Sequence, residues 1–163
     1  MSLNAVVYCD CVEKGRLTIP HPRPDILFMD NTGAPNILSE DPRDIEAHDR
    51  WESLRPCQHD RFWLIERWLG NVSSIGSIRA FLNEHSGDPA TEYPVLWSQV
   101  IYDGSHSGDF LTTHAVQQLR EEVDRLSNTE NLPTSDSTHL VELLGNLEDL
   151  VQASRSVNKP ISF

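Results

Sequence analysis

The chain has 163 residues, with 25 Asp and Glu against 13 Lys and Arg and a formal net charge of −12; such a surplus of acid argues against unaided nucleic-acid binding, because neutralising phosphates takes basic side chains. A hydrophobic content of 38% and a mean hydropathy of −0.42 suffice for one core, so a single domain over residues 1–163 is expected. Apolar runs such as Phe62 to Ile65 fall far short of the ~20 residues that span a bilayer, and no basic stretch leads into an apolar one at the start, so a cytoplasmic protein without a membrane partner is expected.

The first segment, Asn4 to Tyr8, holds Val6, Val7 and Tyr8 in succession and reads as a largely buried strand running into Cys9, Asp10 and Cys11. Glu13-Lys14-Gly15 has turn character, and prolines at 20, 22, 24 and 35 keep the following stretch out of helix. Ile26 to Met29 reads as a short strand, with Asp30-Asn31-Thr32-Gly33 turning the chain back through Asn36 to Leu38.

Asp41-Pro42 starts a helix to about Leu54, with Ile45, His48 and Trp51 on its buried stripe. Phe62 to Leu69 is short and rich in aromatic and aliphatic residues, which favours a strand closed by Gly70-Asn71. Ser73 or Ser74 caps the next helix, carrying Ile75, Ile78 and Leu82 and stopping before Gly87-Asp88-Pro89.

Tyr93 to Tyr102, with Val95, Trp97, Val100 and Ile101, suggests a further strand, followed by a polar loop from Asp103 to Asp109. Thr112 or Thr113 opens an amphipathic helix with Val116, Leu119, Val123 and Leu126 on one side. Asn128 to Asp136 reads as a loop, and Leu140, Leu143, Leu144, Leu147, Leu150 and Val151 mark a helix to about Ala153. Pro160 to Phe163 makes a final edge strand or a docked tail. The expected class is α+β: a mixed, mainly antiparallel sheet with about four helices on one face and a helical C-terminal third.

Three cysteines, an odd number, argue against a disulfide framework and for reduced thiols or metal ligands. Cys9-x-Cys11 and Cys57-x-His59 together supply the three thiolates and one imidazole that structural zinc favours. Residues two apart on a strand share a face but sit about 6.5 Å apart at Cα, whereas two sulfurs on one zinc lie about 3.7 Å apart, so the side chains must lean together. Two other readings stand beside zinc: small buried cysteines in a core, and a thiol nucleophile in which Cys57 is served by His59.

The loop Asp103-Gly104-Ser105-His106-Ser107-Gly108-Asp109 sets a titratable histidine among hydroxyls and carboxylates. Adjacent Ser, His and Asp seldom reach triad geometry; a turn-shaping loop, a partner contact, or an alternative metal ligand in His106 are the readings it allows. His21, His48, His85, His114 and His139 show no paired spacing and read as core or surface residues. The acidity is uneven: residues 1–80 carry 12 acids and 9 bases, residues 81–163 carry 13 acids and 4 bases, so a partner that reads charge would meet the second half.

Tyr8-Cys9-Asp10-Cys11, Glu13-Lys14-Gly15, Cys57-x-His59, Leu69-Gly70-Asn71, the stretch Tyr102 to Phe110 and the closing Lys159-Pro160-Ile161-Ser162-Phe163 resemble a pattern of small bacterial proteins of unassigned activity. In size and acidity these are similar to the immunity proteins of polymorphic toxin systems, an analogy of type. No activity follows from the motifs themselves; the analogy, together with the acidity of the second half, makes the expected function that of a non-enzymatic inhibitor that neutralises a cognate toxin with a basic surface, through contacts at Asp103, His106, Asp109, Glu121, Glu122 and Asp124. The alternative is a small zinc-binding protein or metal-dependent hydrolase using Cys9, Cys11, Cys57 and His59, in which zinc activates water.

Overall fold

The first strand, β1 (Ser2–Tyr8), is half buried and not largely buried as expected: Ala5 and Val7 are fully buried, whereas Val6 between them and Tyr8 after them face the other side and are only partly covered. The computed structural model describes residues 2–102, 105–106, 108–128 and 138–163. A hairpin follows, β2 (Leu27–Met29) and β3 (Pro35–Ile37), turned as expected by Asp30, whose carboxylate accepts from the amides of Thr32 and Ala34 at 2.8 and 3.1 Å. Gly33 has φ +86, and a Cβ there would lie 3.3 Å from Lys159 and Pro160, so the hairpin tip takes glycine where it meets the C-terminal tail.

Helix α1 (Pro42–Ser53) starts as its sequence dictates, with the Asp41 carboxylate accepting from the Arg43 amide. Its buried face is narrower than expected: His48 and Trp51 are inside, whereas Ile45 is 43% exposed. A 3-10 turn, Asp60–Phe62, leads into β4 (Trp63–Asn71). The Gly70-Asn71 pair expected to close this strand belongs to it, and Asn71 caps α2 (Val72–His85) in a reciprocal box with Ser74. Gly70 takes φ +146 and lies so near this box that a Cβ would stand 2.6 Å from Ser74 Oγ.

The strand expected over 93–102 is helical instead. A single turn, α3 (Pro89–Glu92), is followed by a π-helical turn, Leu96–Val100. Val95, Leu96, Val100 and Ile101 are all buried, a spacing of about five that one wide helical turn satisfies and a strand of period two does not. A short strand, β5 (Phe110–Leu111), precedes α4 (Thr113–Ser127), capped by Thr112, and α5 (Thr138–Val157), which runs past the expected Ala153. The loop expected over 128–136 lies outside the described residues apart from Asn128.

The last strand, β6 (Ile161–Ser162), is not an edge. It sits between β1 and β5 in a four-stranded sheet of order β4-β1-β6-β5, and every described ladder is antiparallel. Helix α5 lies on β1 and β4, and α4 lies on α5, so Leu140, Leu143, Leu147 and Leu150 complete a core with Ala5, Val7 and Leu69. The class is α+β, as expected. Lys159, 5% exposed, ties the tail down by pairing with Glu13 at 2.6 Å and donating to the Gly33 carbonyl at 3.1 Å.

One carboxylate is folded into this core. Glu122, expected at the surface, is 2% exposed and accepts from the amides of Val95 and Leu96 at 3.0 and 2.7 Å. It occupies the inward stripe of α4 between Leu119 and Leu126, and there it caps the π-helical turn, whose leading amides have no partner within the turn. Removing it leaves two buried donors unpaired, so Glu122→Ala should cost about 3 kcal/mol in urea denaturation. Burial raises the Glu122 pKa above the ordinary 4.5, against the pull of the two amides. A raised folded pKa contributes stability that is complete below pH 4.5 and lost as pH rises through the folded value. Glu122→Gln should therefore remove a decline in stability above pH 4.5, measured as the wild-type minus variant difference across pH 4–8; parallel curves would contradict the assignment.

Candidate metal centre

The pairing of β1 with β4 decides what lies at one end of the sheet. The strands are antiparallel with Tyr8 opposite Trp63, so the residues just after β1 meet those just before β4. The Cys9 amide continues the ladder by donating to the Phe62 carbonyl at 2.7 Å. Cys9 and Cys11 thereby face Cys57 and His59 across 48 positions of sequence.

The four ligand atoms lie within 4.8 Å of one another. Cys9 Sγ is 3.9 Å from Cys57 Sγ, Cys11 Sγ is 3.4 Å from His59 Nδ1, and Cys57 Sγ is 3.8 Å from the same nitrogen. A tetrahedral zinc with Zn–S of about 2.3 Å and Zn–N of about 2.0 Å sets its ligand atoms about 3.5 to 3.8 Å apart, so the group has metal-binding dimensions. The three cysteines are free thiols, and the 3.9 Å between Cys9 and Cys57 is far beyond the ~2.05 Å of a disulfide.

The segments are brought to this geometry by turns and by a second small core. After Cys11 the chain reverses through bonds from Lys14 N to Asp10 O and from Arg16 N to Cys11 O, at 2.9 and 2.8 Å. This converges Cys9 and Cys11 where an extended strand would hold them apart. Thr18 then reaches Pro56 O with its amide at 2.8 Å and its hydroxyl at 3.1 Å, tying the first ligand segment to the second. Trp51 and Phe62, 2% and 3% exposed, wall the cysteines from solvent, and Trp51 donates to Ile19 O at 2.9 Å.

Around Cys57 and His59 the backbone is strained: Arg55, Arg61 and Phe62 have φ of +53, +50 and +60, a region that costs side-chain-bearing residues about 1 kcal/mol or more each. A loop of this shape persists only where surrounding contacts hold it. A four-ligand metal would supply such a hold.

Electrostatics bear on the choice of chemistry. Burial pushes the Cys9 thiol up to about 12, and the neighbouring thiols Cys11 and Cys57 add to the rise. Cys11 is raised too, by burial first, with Arg16 pulling the other way. These are the reverse of the depressed values that activate a nucleophilic cysteine. A thiol so disfavoured as an anion becomes a thiolate readily only beside a cation, and zinc binding would release its proton.

The residues expected at a partner surface are scattered. Asp103 lies outside the described residues. Asp109 is half exposed and accepts from Tyr102 Oη at 2.7 Å. Glu121 and Asp124 are exposed on α4. Glu122 is inside, as shown above, and the His106 side chain is 10% exposed, set between the rings of Tyr102 and Phe163. His106 is also no alternative ligand: the four-residue group does not include it.

The contact between two histidines goes beyond the sequence reading, which places only His48 on a buried stripe. His21 and His48 are buried beside Trp51, with His48 Nδ1 3.2 Å from His21 Nε2. Because the Arg23 amide donates to His21 Nδ1 at 3.1 Å, His21 carries its proton on Nε2 and donates to His48, whose own Nε2 faces Glu52 at 3.7 Å. Spacing of 27 positions gives no local sign of this. Its one legible trace is His48 at three before Trp51 on α1.

Burial, with the His21 ring beside it, lowers the His48 pKa below the ordinary 6.5. A depressed folded pKa gives stability that is complete above pH 6.5 and lost as pH falls through the folded value. His48→Gln should remove up to one proton's worth of acid sensitivity, about 1.4 kcal/mol per pH unit, seen as a wild-type minus variant difference in urea midpoints that shrinks below pH 6.5. Compared with known protein families, curated proteins and solved structures, the chain matches none.

Proposed function

We propose that this chain is a zinc-binding protein in which Cys9, Cys11, Cys57 and His59 close one structural site. The observation that carries the reading is the convergence of four soft ligand atoms within 4.8 Å, from two segments 48 positions apart, with three of the pairs 3.4 to 3.9 Å apart, close to the spacing in tetrahedral zinc sites. Four protein ligands leave no position for a reacting water, and three of the four are buried, which supports a structural rather than a hydrolytic role. Zinc here would clamp the end of β1 to the strained loop before β4, so its binding energy is folding energy.

The untagged protein should contain one zinc per chain by elemental analysis. Stripping it with a chelator at neutral pH should lower Tm by about 10 °C or more, and Cys11→Ser should reproduce most of that loss while holding substoichiometric metal. A metal-free preparation whose Tm ignores both added zinc and chelator would contradict the proposal.

A second reading concerns what the folded body does, and one observation favours it: Glu121 and Asp124 stand exposed on α4 in a half-chain with 13 acids and 4 bases. This supports a non-enzymatic, immunity-type protein that captures a toxin with a basic surface, in a cytoplasm whose reducing conditions suit its free thiols. No helix among the described residues is long and apolar enough to cross a membrane. With the toxin domain encoded beside its gene, the association rate should fall about tenfold or more between 50 and 500 mM salt, and Glu121→Lys with Asp124→Lys should slow it further; a rate indifferent to both would contradict the reading.

A further inference from the structure

Far from the cysteines, a cavity of about 450 Å³ opens between the start of β1 and one side of α2. Leu3, Val72, Ile75 and Ala80 make its apolar wall, and Arg79 and His106 stand among its polar residues. A volume in this range, mostly apolar with a few polar groups, is the usual form of a small-molecule site.

Arg79 gives the cavity its selectivity. Its Nη1 donates to the carbonyls of Ile101 and Trp97 at 2.8 and 3.3 Å, and its guanidinium carbon stands 3.9 Å from the centre of the Trp97 ring. Two carbonyls and an indole face thus fix the plane of the guanidinium before any ligand arrives. Among the described residues no carboxylate pairs with it and no acceptor meets Nε or Nη2. In a chain with nearly twice as many acids as bases, a half-buried arginine with no acid partner among the described residues is a cation left for something else. A planar fork with free N–H groups matches a carboxylate.

Gly76 supplies the space. It lines the cavity from the middle of α2, and a Cβ added there would meet nothing within 4 Å. Glycine in a helix interior costs about 1 kcal/mol relative to alanine, and here the missing side chain leaves the hollow open.

We propose that the cavity between β1 and α2 binds a small amphipathic carboxylic acid, its carboxylate on Arg79 and its apolar body along Leu3, Val72, Ile75 and Gly76. The site is independent of the metal centre and requires no chemistry of its ligand.

Octanoate, octylamine and octanol, titrated separately into the zinc-supplemented full chain and followed by calorimetry, test this directly. Octanoate should bind at one site, with octanol about tenfold weaker or more for want of the charged hydrogen bonds, and octylamine weaker still. Arg79→Gln should bring octanoate down to the affinity of octanol while leaving octanol unchanged. Because Arg79 also holds two carbonyls, a second variant guards against misfolding: Gly76→Leu fills the hollow with a better helix former, and should raise Tm while abolishing binding of both. Equal affinity for octanoate and octanol, undiminished octanoate binding by either variant, or no saturable octanoate binding by the wild type would each overturn the proposal.

Discussion

The antiparallel register of β1 on β4 is the constraint from which most of the molecule follows. With Tyr8 opposite Trp63 and the Cys9 amide bonded to Phe62 O, two ligand pairs remote in sequence are delivered to one end of the sheet. A slip of one residue would turn every side chain of β1 to the other face, exposing Ala5 and Val7 and carrying Cys9 away from Cys57. The core face therefore enforces the register, and the register builds the site. The same pairing places Leu3 beside Gly70 and the start of α2, where the second cavity opens.

Energetically the molecule has two centres of different kinds. The larger is an ordinary apolar core under α4 and α5, in which burial of Leu140, Leu143, Leu147 and Leu150 offsets the entropy of ordering the chain. The smaller holds five buried residues, three of them cysteines, beside a loop with three left-handed side-chain-bearing residues. So few apolar groups are a weak counterweight to that strain, and the proposed metal would offset this imbalance. Buried thiols resist ionisation in the absence of a cation, and burial pushes the Cys9 thiol up to about 12; a bound zinc, as proposed, would stabilise the thiolates as ligands and hold the loop.

Much of this was legible in the sequence, for reasons that can be assigned. The apolar run of β1, the Asp41-Pro42 start of α1, the Asp30 turn and the leucine stripe of α5 are local signals, and each element forms where its signal lies, although β1 buries only alternate residues of its run. Cys9-x-Cys11 and Cys57-x-His59 could be recognised as ligand pairs by type, but only the strand register could unite them. Where reading failed, a tertiary contact had overridden a local pattern. Residues 93–102 carry strand-forming Val, Ile and Trp, yet wind into a π-helical turn because the Glu122 carboxylate caps its leading amides. Glu122 reads by residue type as a surface acid, although its place between Leu119 and Leu126 on the apolar stripe of α4 marks it as inward-facing. The tail strand β6 looked like an edge because two residues cannot announce that both of their neighbours are strands. The His21–His48 contact and the cation–π support of Arg79 on Trp97 depend wholly on tertiary meeting.

The most direct measurement of the central claim is X-ray absorption at the zinc edge on protein purified without a tag. The account predicts a four-coordinate ion with three sulfurs at about 2.3 Å and one nitrogen at about 2.0 to 2.1 Å, lost as a set when Cys57 is replaced by serine. A shell dominated by oxygen, or one with fewer than three sulfurs, would contradict it.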